Sequence, residues 1–508
     1  MIRGLFSFAL VLLTASFPLA IGAEDEAQAL LAKHRSFVGW EFNDGTFRTM
    51  RVETIVTRTD KSGKQRQVVK MIDLQRGIVN KLFEYGERSG SVSGFSGSVY
   101  WLSDANGFTI TRLDDDRKTT LALALLFDEA TPMLPATVLR RENLNGTPIV
   151  VLRQQVPNGY TLDLSVDPQI GAYKRAVIDA AGSPTQVEID DYAEVVPGKK
   201  TIASYHFTGD SDQYVRTVSP NVSVTDADLH PPADQAKWTF GSGQPFYVDV
   251  GETELHVDAV VNGVRGRFIL DTGAGGIFLS ADFAAKAKVA PLKVSFDASG
   301  VAGDVALGMA RTNTIEFGDG STLHDALVAT GLRNESWLGD GLIGFDFLAR
   351  AIVEIDLDAK NMRIYDPEGT PPNTSGGVVV VPDLSELVPV IPAKLNGSVA
   401  TRAMLDSGNA GSVLLNSELR GRTRTMIDRQ KGFEYRVTGV AGRAEDVECG
   451  QLDSIDLGAL HYLHAPVCFA LTQPHDEALL GYDLIRNFNL VFDYPHDKIV
   501  MFPRKKYQ

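Results

Sequence analysis

This sequence has few cysteines, no net positive charge and few long apolar runs. Only two of its 508 residues are cysteine, and no Cys–His pairing indicates a thiol-dependent enzyme. The formal net charge is −15, which favours neither nucleic acid nor an anionic membrane as a partner. Beyond the N-terminus no apolar run is long enough to cross a bilayer, so we expect no stable membrane insertion of the mature chain.

Signatures of metal and cofactor sites are also missing. His461 and His464 have no partner cluster with zinc-ligand spacing, so they are more typical of surface or strand positions. No glycine-rich phosphate loop precedes a helix, and no Gly-x-Ser-x-Gly elbow is present. The sequence therefore predicts neither a metal nor a cofactor.

The first 23 residues have the pattern of an export signal. Arg3 provides a positive start, Leu5–Leu13 is apolar, and Ala20–Ala23 provides small residues for cleavage. The alternative is an uncleaved anchor, but polar residues and Pro18 interrupt a run that is short for a span. We predict an exported protein, periplasmic or extracellular.

Export bears on the two cysteines, Cys449 and Cys468. In an oxidising compartment they can form one disulfide, which closes a loop of about twenty residues and contributes about 3 kcal/mol. The alternative is a pair of buried free thiols. The predicted export favours the disulfide.

The N-terminal region reads as β-rich. A helix is predicted over 24–38, strands from 39 to about 207, and a second helix near 119–141 that Pro132 and Pro135 interrupt. Residues 47–56 and 160–166 alternate apolar and polar side chains, as expected of half-buried strands. The role of this domain stays open between an apolar-ligand pocket, a docking module and a packing or propeptide-like domain.

Proline- and glycine-rich stretches at 221–243 and 367–377 are typical of linkers. A chain of this length requires two or three domains. We predict a signal peptide at 1–23, an N-terminal domain at 24–235, and two C-terminal lobes at 236–370 and 371–508.

One short motif occurs twice in the C-terminal half. An apolar strand runs into Asp271-Thr272-Gly273, and another runs into Asp406-Ser407-Gly408, 135 positions later. A carboxylate at the end of a buried strand is costly unless it has a partner or a use. A single triplet is a weak signal, typical of a plain turn, but its repetition requires a common cause.

Further landmarks repeat around the triplets in the same order. Leu342-Ile343-Gly344 corresponds to Leu479-Leu480-Gly481, with 73 and 75 positions from each aspartate to its glycine. In each half, a strand ending in aspartate, at 356 and 493, follows 12 positions after that glycine. This order and spacing indicate an internal duplication.

This constellation resembles the pepsin-like and retroviral-type aspartic proteases. In that family each lobe contributes one Asp-Thr/Ser-Gly and one hydrophobic-hydrophobic-Gly element. The resemblance implies that Asp271 and Asp406 hold one water between them and share a proton. One carboxylate would take a proton from the water and the other would donate to the scissile carbonyl. Thr272, Gly273, Ser407 and Gly408 would brace the two loops.

Glycine-rich stretches between the landmarks resemble the flaps of the retroviral enzymes. The candidates are Gly300, Val301, Ala302 and Gly303 in the first lobe, and Gly439, Val440, Ala441 and Gly442 in the second. Pepsin has one flap with a tyrosine, whereas neither stretch here has a tyrosine. The closer resemblance is therefore to a retroviral-type dimer fused into one chain, which implies an active monomer. The alternative is two ordinary hairpin turns.

Two positions depart from the pepsin pattern of Ser or Thr after the triplet. They are Ala274, as in retroviral enzymes, and Asn409, which alters the expected hydrogen bonding around Asp406. Both aspartates are nevertheless present.

The predicted fold is mostly β: a bilobal aspartic-protease pair preceded by an antiparallel domain with one or two helices. In strand texture alone, that domain resembles the LolA/LolB-type half-barrel of lipoprotein carriers. The predicted function is an exported aspartic endopeptidase acting on peptides or proteins. The alternatives are a catalytically silent peptide-binding module and a lipid or lipoprotein carrier.

Overall fold

A computed structural model gives the structure of most of the chain. It describes residues 23–58, 65–75, 78–84, 92–96, 99–104, 106–112, 122–129, 134–156, 160–180, 183–209, 212–231, 236–300, 303–335, 337–384, 386–423, 433–438, 444–469 and 478–504. The predicted signal segment lies outside the described residues, apart from Ala23. Within them, no helix has both the length and the apolar character needed to span a bilayer.

The predicted N-terminal helix is confirmed as α1 (Ala23–Val38). Three acidic residues occupy its first turn, where they complement the positive end of the helix dipole. Ala27, Leu30 and Leu31 are buried, at the helical spacing that the sequence shows.

Six antiparallel strands follow, paired in chain order. They are β1 (Thr49–Arg58), β2 (Gln65–Asp73), β3 (Ile78–Glu84), β4 (Val92–Ser96), β5 (Val99–Ser103) and β6 (Thr109–Arg112).

Seven more strands also pair consecutively. They are β7 (Ala136–Leu144), β8 (Thr147–Val156), β9 (Tyr160–Val166), β10 (Tyr173–Ala180), β11 (Ser183–Val196), β12 (Lys199–Phe207) and β13 (Asp212–Pro220).

The second helix predicted near 119–141 is wrong in its C-terminal part. Helical backbone is present at 122–126, but residues 136–144 form β7 and pair with β8. Pro135 cannot donate a helical hydrogen bond, and the ladder with β8 satisfies the backbone that follows.

The first lobe contains β14 (Lys237–Thr239) to β27 and two short helices. Its other strands are β15 (Phe246–Tyr247), β16 (Asp249–Val250), β17 (Leu255–Val261), β18 (Val264–Leu270), β19 (Ile277–Ser280), β20 (Ala290–Gly300), β21 (Gly303–Arg311), β22 (Thr314–Glu316), β23 (Thr322–His324), β24 (Leu327–Leu332), β25 (Gly341–Ile343), β26 (Ile352–Asp356) and β27 (Asn361–Tyr365). Its helices are α2 (Ala281–Lys286) and α3 (Phe345–Leu348).

The second lobe contains β28 (Val378–Val380) to β39. Its other strands are β29 (Val390–Leu395), β30 (Val399–Asp406), β31 (Val413–Leu415), β32 (Phe433–Thr438), β33 (Ala444–Gln451), β34 (Ser454–Leu457), β35 (Leu460–Leu463), β36 (Pro466–Phe469), β37 (Ala478–Gly481), β38 (Phe488–Asp493) and β39 (Lys498–Pro503). Its helices are α4 (Ser417–Thr423) and α5 (Tyr482–Ile485). Short 3-10 turns lie at Asp226–Leu229 and Tyr494–His496.

The two lobes have the same strand order. The first sheet contains the order β23-β22-β17-β18-β25-β19-β24-β21-β20, and the second is β35-β34-β29-β30-β37-β31-β36-β33-β32. Each strand has its counterpart in the corresponding place, so the duplicated motifs belong to a duplicated fold. β14 pairs with β23, so the stretch predicted as a linker ends as part of the first lobe.

A separate sheet joins the lobes, in the order β15-β27-β26-β38-β39-β28. At its centre β26 pairs antiparallel with β38, with Glu354 opposite Val491. These are the repeated strands that end in Asp356 and Asp493. One apolar core contains residues of both lobes, among them Phe347, Ile355, Leu490 and Phe492.

The chain divides into two compact units. The first comprises Met1–Arg48, Thr57–Lys64 and Asp114–Asn221, and the second comprises Thr49–Val56, Gln65–Leu113 and Val222–Gln508. The lobes thus share a unit with residues 65–113, which the sequence had assigned to the N-terminal domain. The predicted fold class is confirmed: the chain is mostly β, with half-barrel sheets before the two C-terminal lobes.

Candidate active site

Asp271 stands immediately after β18, where a buried strand becomes a tight turn. Its N–H donates to Ile343 O at 2.9 Å, continuing the parallel pairing of β18 with β25. Its Oδ1 accepts from Gly273 N at 2.9 Å. The residue is 8 % exposed, so the backbone holds a largely buried carboxylate in one orientation.

Asp406 is held in the same way in the second lobe. It ends β30, which runs parallel to β37 and places Asp406 opposite Gly481. Its Oδ1 accepts from Gly408 N at 3.0 Å. The two carboxylates therefore have matching supports.

The middle residues of the two triplets bind each other's loops. Thr272 Oγ1 donates to Leu405 O and Ser407 Oγ donates to Leu270 O, each at 2.6 Å. Thr272 N donates to Ser407 Oγ, and Ser407 N donates to Thr272 Oγ1, each at 3.0 Å. Four crossed hydrogen bonds in a buried place fix the separation of the loops.

The glycine of each triplet lies against the carboxylate of the other. A Cβ on Gly273 would lie 2.4 Å from Asp406 Cγ, and a Cβ on Gly408 would lie 2.4 Å from Asp271 Cγ. Only a residue without a side chain permits this approach. The structure thus brings together the two aspartates and all four supporting residues predicted from the sequence.

Burial and proximity change the acidity of this pair. Burial raises the pKa of Asp271, whereas the hydrogen bond from Gly273 N–H and interaction with Asp406 oppose that rise. Burial and the negative charge of Asp271 raise the pKa of Asp406 well above its usual value. Two carboxylates this close titrate as a pair and share a proton over an intermediate pH range.

The two departures from the pepsin pattern have local explanations. Ala274 is buried among Ile269, Leu307 and Leu342, where a hydroxyl would be surrounded by apolar groups. Asn409 turns its side chain back on its own loop, and its Oδ1 accepts from Gly411 N at 2.9 Å.

The hydrophobic-hydrophobic-Gly elements lie directly behind the loops. A Cβ on Gly344 would lie 2.2 Å from Ala274 O, and a Cβ on Gly481 would lie 2.1 Å from Gly411 O. Phe345 N donates to Ala274 O at 2.9 Å, and Tyr482 N donates to Asn409 O at 2.6 Å. Each active-site loop therefore packs against the start of a short helix and is hydrogen-bonded to it.

The flap candidates are described only in part. Gly300 and Gly303 are paired residues at the end of the β20–β21 hairpin. Val301, Ala302 and the second candidate, 439–442, lie outside the described residues. The arms of the second hairpin are described up to the pair Thr438 and Ala444.

Cys449 and Cys468 are joined as a disulfide between the neighbouring strands β33 and β36. Their Cα atoms are 4.0 Å apart. In the part of the chain that is described, no group of three or more His, Cys, Asp or Glu side chains is arranged to hold a metal ion.

Sequence reasoning missed a set of buried polar residues behind the first loop: Asp104, Asn106, Asp346 and Arg350. Asp346 lies two residues after Gly344, and Asp483 lies two residues after Gly481, so the repeat itself marked the position. Tyr494 was also missed. It is 1 % exposed, and burial together with the charge of Asp271 raises its pKa.

Family comparisons match both lobes. The family described as "gag-polyprotein putative aspartyl protease" matches residues 257–350, and the aspartyl protease family matches residues 391–484. None of the curated proteins matches the sequence. The predicted resemblance is confirmed: the chain carries two aspartyl protease domains.

Solved structures resemble parts of the chain. A retropepsin-like aspartic protease from Rickettsia conorii is 21 % identical, with a TM-score of 0.21, covering 25 % of this chain and 89 % of that one. A LolA superfamily protein from Nitrosomonas europaea is 13 % identical, with a TM-score of 0.30, and the match covers 40 % of this chain and 97 % of that one. A DUF1329 family protein from Desulfovibrio piger is also 13 % identical, with a TM-score of 0.30, and the match covers 41 % of this chain and 98 % of that one.

Proposed function

We propose that this chain, with its two aspartyl protease domains, is an endopeptidase that cleaves peptide bonds with a water held between Asp271 and Asp406. The crossed hydrogen bonds of Thr272 and Ser407 carry the proposal. They hold two carboxylates from different lobes against each other, one of them buried and the other half-buried. The cost of doing so is explained if the pair performs acid–base chemistry.

Burial raises the pKa of both carboxylates, and two acids this close share one proton. One aspartate of the pair is therefore protonated, while the other is ionised and takes a proton from the water. The water oxygen bonds to the peptide carbonyl carbon as the protonated aspartate gives its proton to the carbonyl oxygen. In the tetrahedral diol the C–N bond then breaks and the C=O bond forms again. The departing nitrogen takes a proton from the aspartate that received one from the water, and a diol hydroxyl gives its proton to the other aspartate. No covalent enzyme intermediate forms.

We also propose that the protein acts outside the cytoplasm. The signal-like pattern of residues 1–23 supports this proposal, and the Cys449–Cys468 disulfide is of the kind that persists in oxidising compartments. Fractionation of expressing cells, with N-terminal sequencing of the mature chain, tests both export and cleavage. A full-length chain in the cytoplasm would contradict the proposal.

The catalytic proposal is tested by peptide hydrolysis from about pH 3 to 8, the range in which a carboxylate pair can hold one proton. Asp271→Asn and Asp406→Asn should each lower kcat by about 10²–10⁴-fold or more. Asp258→Asn is the matched control, because Asp258 is an exposed carboxylate of the same lobe that pairs with Arg265. It should cleave at the wild-type rate.

Two results would direct the function elsewhere. If the wild type binds a hydroxyl-containing peptide inhibitor of aspartic proteases but cleaves nothing, the chain is a peptide-binding module. If it neither cleaves nor binds the inhibitor, and lipid co-purifies with the intact chain, the carrier function is favoured.

A further inference from the structure

A polar turn far from the triplets in sequence is buried in the unit that contains the lobes. Asp104, Asn106, Gly107 and Phe108 lie between β5 and β6, and Asp104 and Asn106 are 2 % and 1 % exposed. Hairpin turns normally lie at the surface, because their polar groups need water. Phe108 and Ile110 pack against the apolar core of the lobes.

Asn106 satisfies its amide entirely on the first lobe. Its Nδ2 donates to Leu327 O at 3.0 Å and to Asp346 Oδ1 at 2.9 Å, and its Oδ1 accepts from Leu327 N at 2.7 Å. It thus extends the hydrogen bonding at the start of β24 as a paired strand residue would.

Asp104 supplies the charge that balances Arg350. The Arg350 guanidinium donates to both oxygens of Asp104 at 3.1–3.2 Å, and both side chains are 3 % exposed. Arg350 Nη1 also donates to Asp346 O at 3.1 Å and lies 3.6 Å from Asp346 Oδ1. Loss of this carboxylate would leave a buried positive charge without its partner and would strongly destabilise the folded protein.

Asp346 connects this cluster to the loop that carries Asp271. Its Oδ2 accepts from Ile277 N at 3.2 Å, where the loop ends and β19 begins. A Cβ on Gly276 would lie 2.9 Å from the same oxygen. The loop of residues 271–277 is therefore held at Ala274 by Phe345 N and at Ile277 by the Asp346 carboxylate.

Among the described residues of the second lobe, the equivalent place has a different arrangement. Asp483 has a 34 % exposed side chain and pairs with Arg486 of its own helix. Asn487 stands where the first lobe has Arg350, and its Nδ2 donates to Asp483 O and Leu484 O. Within the part of the chain that the structure describes, the buried turn thus supports the first lobe and not the second.

We infer that Asp104 and Asn106 are positioning residues of the protease site, acting through Arg350 and Asp346 on the loop that presents Asp271. This inference deepens the proposed peptidase function and rests on it. Residues 65–113 then contribute to the geometry of the peptidase site, although they precede both lobes in the chain.

The test uses the full chain with Asn106→Ala and Asp346→Asn. Each should lower kcat by about 10- to 100-fold, as expected of a loop displaced from a catalytic geometry, and leave KM within about twofold. Each should also shift the pH profile of kcat, because the surroundings of Asp271 change. The double variant should lose less than the product of the single effects, since the two residues act through one contact.

Asp483→Asn is the matched control in the second lobe and should stay within about twofold of the wild-type kcat. The inference is overturned if Asp483→Asn has the same effect as Asp346→Asn. It is also overturned if Asn106→Ala lowers stability but leaves kcat and its pH profile unchanged.

A second measurement separates this inference from the peptidase function. Amide hydrogen exchange in peptides covering 271–280 should accelerate about tenfold or more in Asn106→Ala, while peptides covering 406–415 keep their wild-type rate. This readout needs no cleavage. If exchange accelerates in a chain that cleaves nothing, the peptidase function is rejected but the role of Asn106 in holding the loop is retained. If exchange at 271–280 is unchanged, the role of Asn106 in holding the loop is rejected.

Discussion

Hydroxyl groups determine how the two active-site loops meet. Thr272 and Ser407 are 1 % and 3 % exposed, and each is at once a donor to a carbonyl and an acceptor from a backbone N–H. A buried N–H without a partner costs about 1–3 kcal/mol. Each hydroxyl therefore contributes to stability as well as to geometry.

Thr272→Val should destabilise the chain by about 2 kcal/mol, because Ser407 N–H and Leu405 O both lose their partner. Thr272→Ser retains the hydroxyl and should lose less than half as much. Urea denaturation followed by tryptophan fluorescence measures the difference. Equal stability of the two variants would show that the crossed bonds do not hold the loops.

Asp406 should make stability depend on pH. A carboxyl whose pKa is raised by folding contributes fully below its unfolded pKa, and that contribution is lost as pH rises through the folded pKa. Asp406→Asn has no such loss. The Tm of Asp406→Asn relative to wild type should therefore be higher at pH 8 than at pH 4, as measured by differential scanning fluorimetry. The exposed control Asp258→Asn should show no comparable trend, and the same trend in both variants would contradict this explanation.

At the scale of elements, a disulfide cross-links two neighbouring strands in the sheet of the second lobe. The disulfide joins β33 to β36 across a separation of 19 residues. A loop of this size contributes about 3 kcal/mol in the chain-entropy account. The bridge lies in a different apolar cluster from the core that both lobes share.

Replacement of both cysteines by serine should lower the unfolding free energy of this lobe by about 3 kcal/mol. Reduction of the wild type with dithiothreitol should lower the denaturation midpoint to a similar extent and leave the variant unchanged. A wild-type midpoint that is the same with and without reductant would show that the bridge is absent in solution.

At the scale of the molecule, residues 65–113 belong to the compact unit of the lobes, whereas 114–221 belong to the other unit. Cooperative units exchange their amides together. In native-state hydrogen exchange at rising urea, peptides covering 99–112 should open together with 341–356. They should open independently of peptides covering 136–180. Exchange of 99–112 together with 136–180 would place the turn in the other unit.

The sequence alone determined the duplication, the two triplets and the mostly β fold. Each of these depends on local patterns: apolar runs of strand length, a turn after each aspartate, and the same spacing twice. The second helix was wrong over residues 136–141, because apolar spacing beyond Pro135 does not distinguish a helix from a strand that begins there.

Only the tertiary structure decided which residues support the pair. Asn106 and Asp346 are 240 positions apart, and Thr272 and Ser407 are 135 apart. The second contact follows the repeat and could be anticipated from it. The contact between Asn106 and Asp346 follows no repeat or period, because it forms only when distant strands pack together. In the sequence, the turn that contains Asn106 has the same polar composition as an exposed turn.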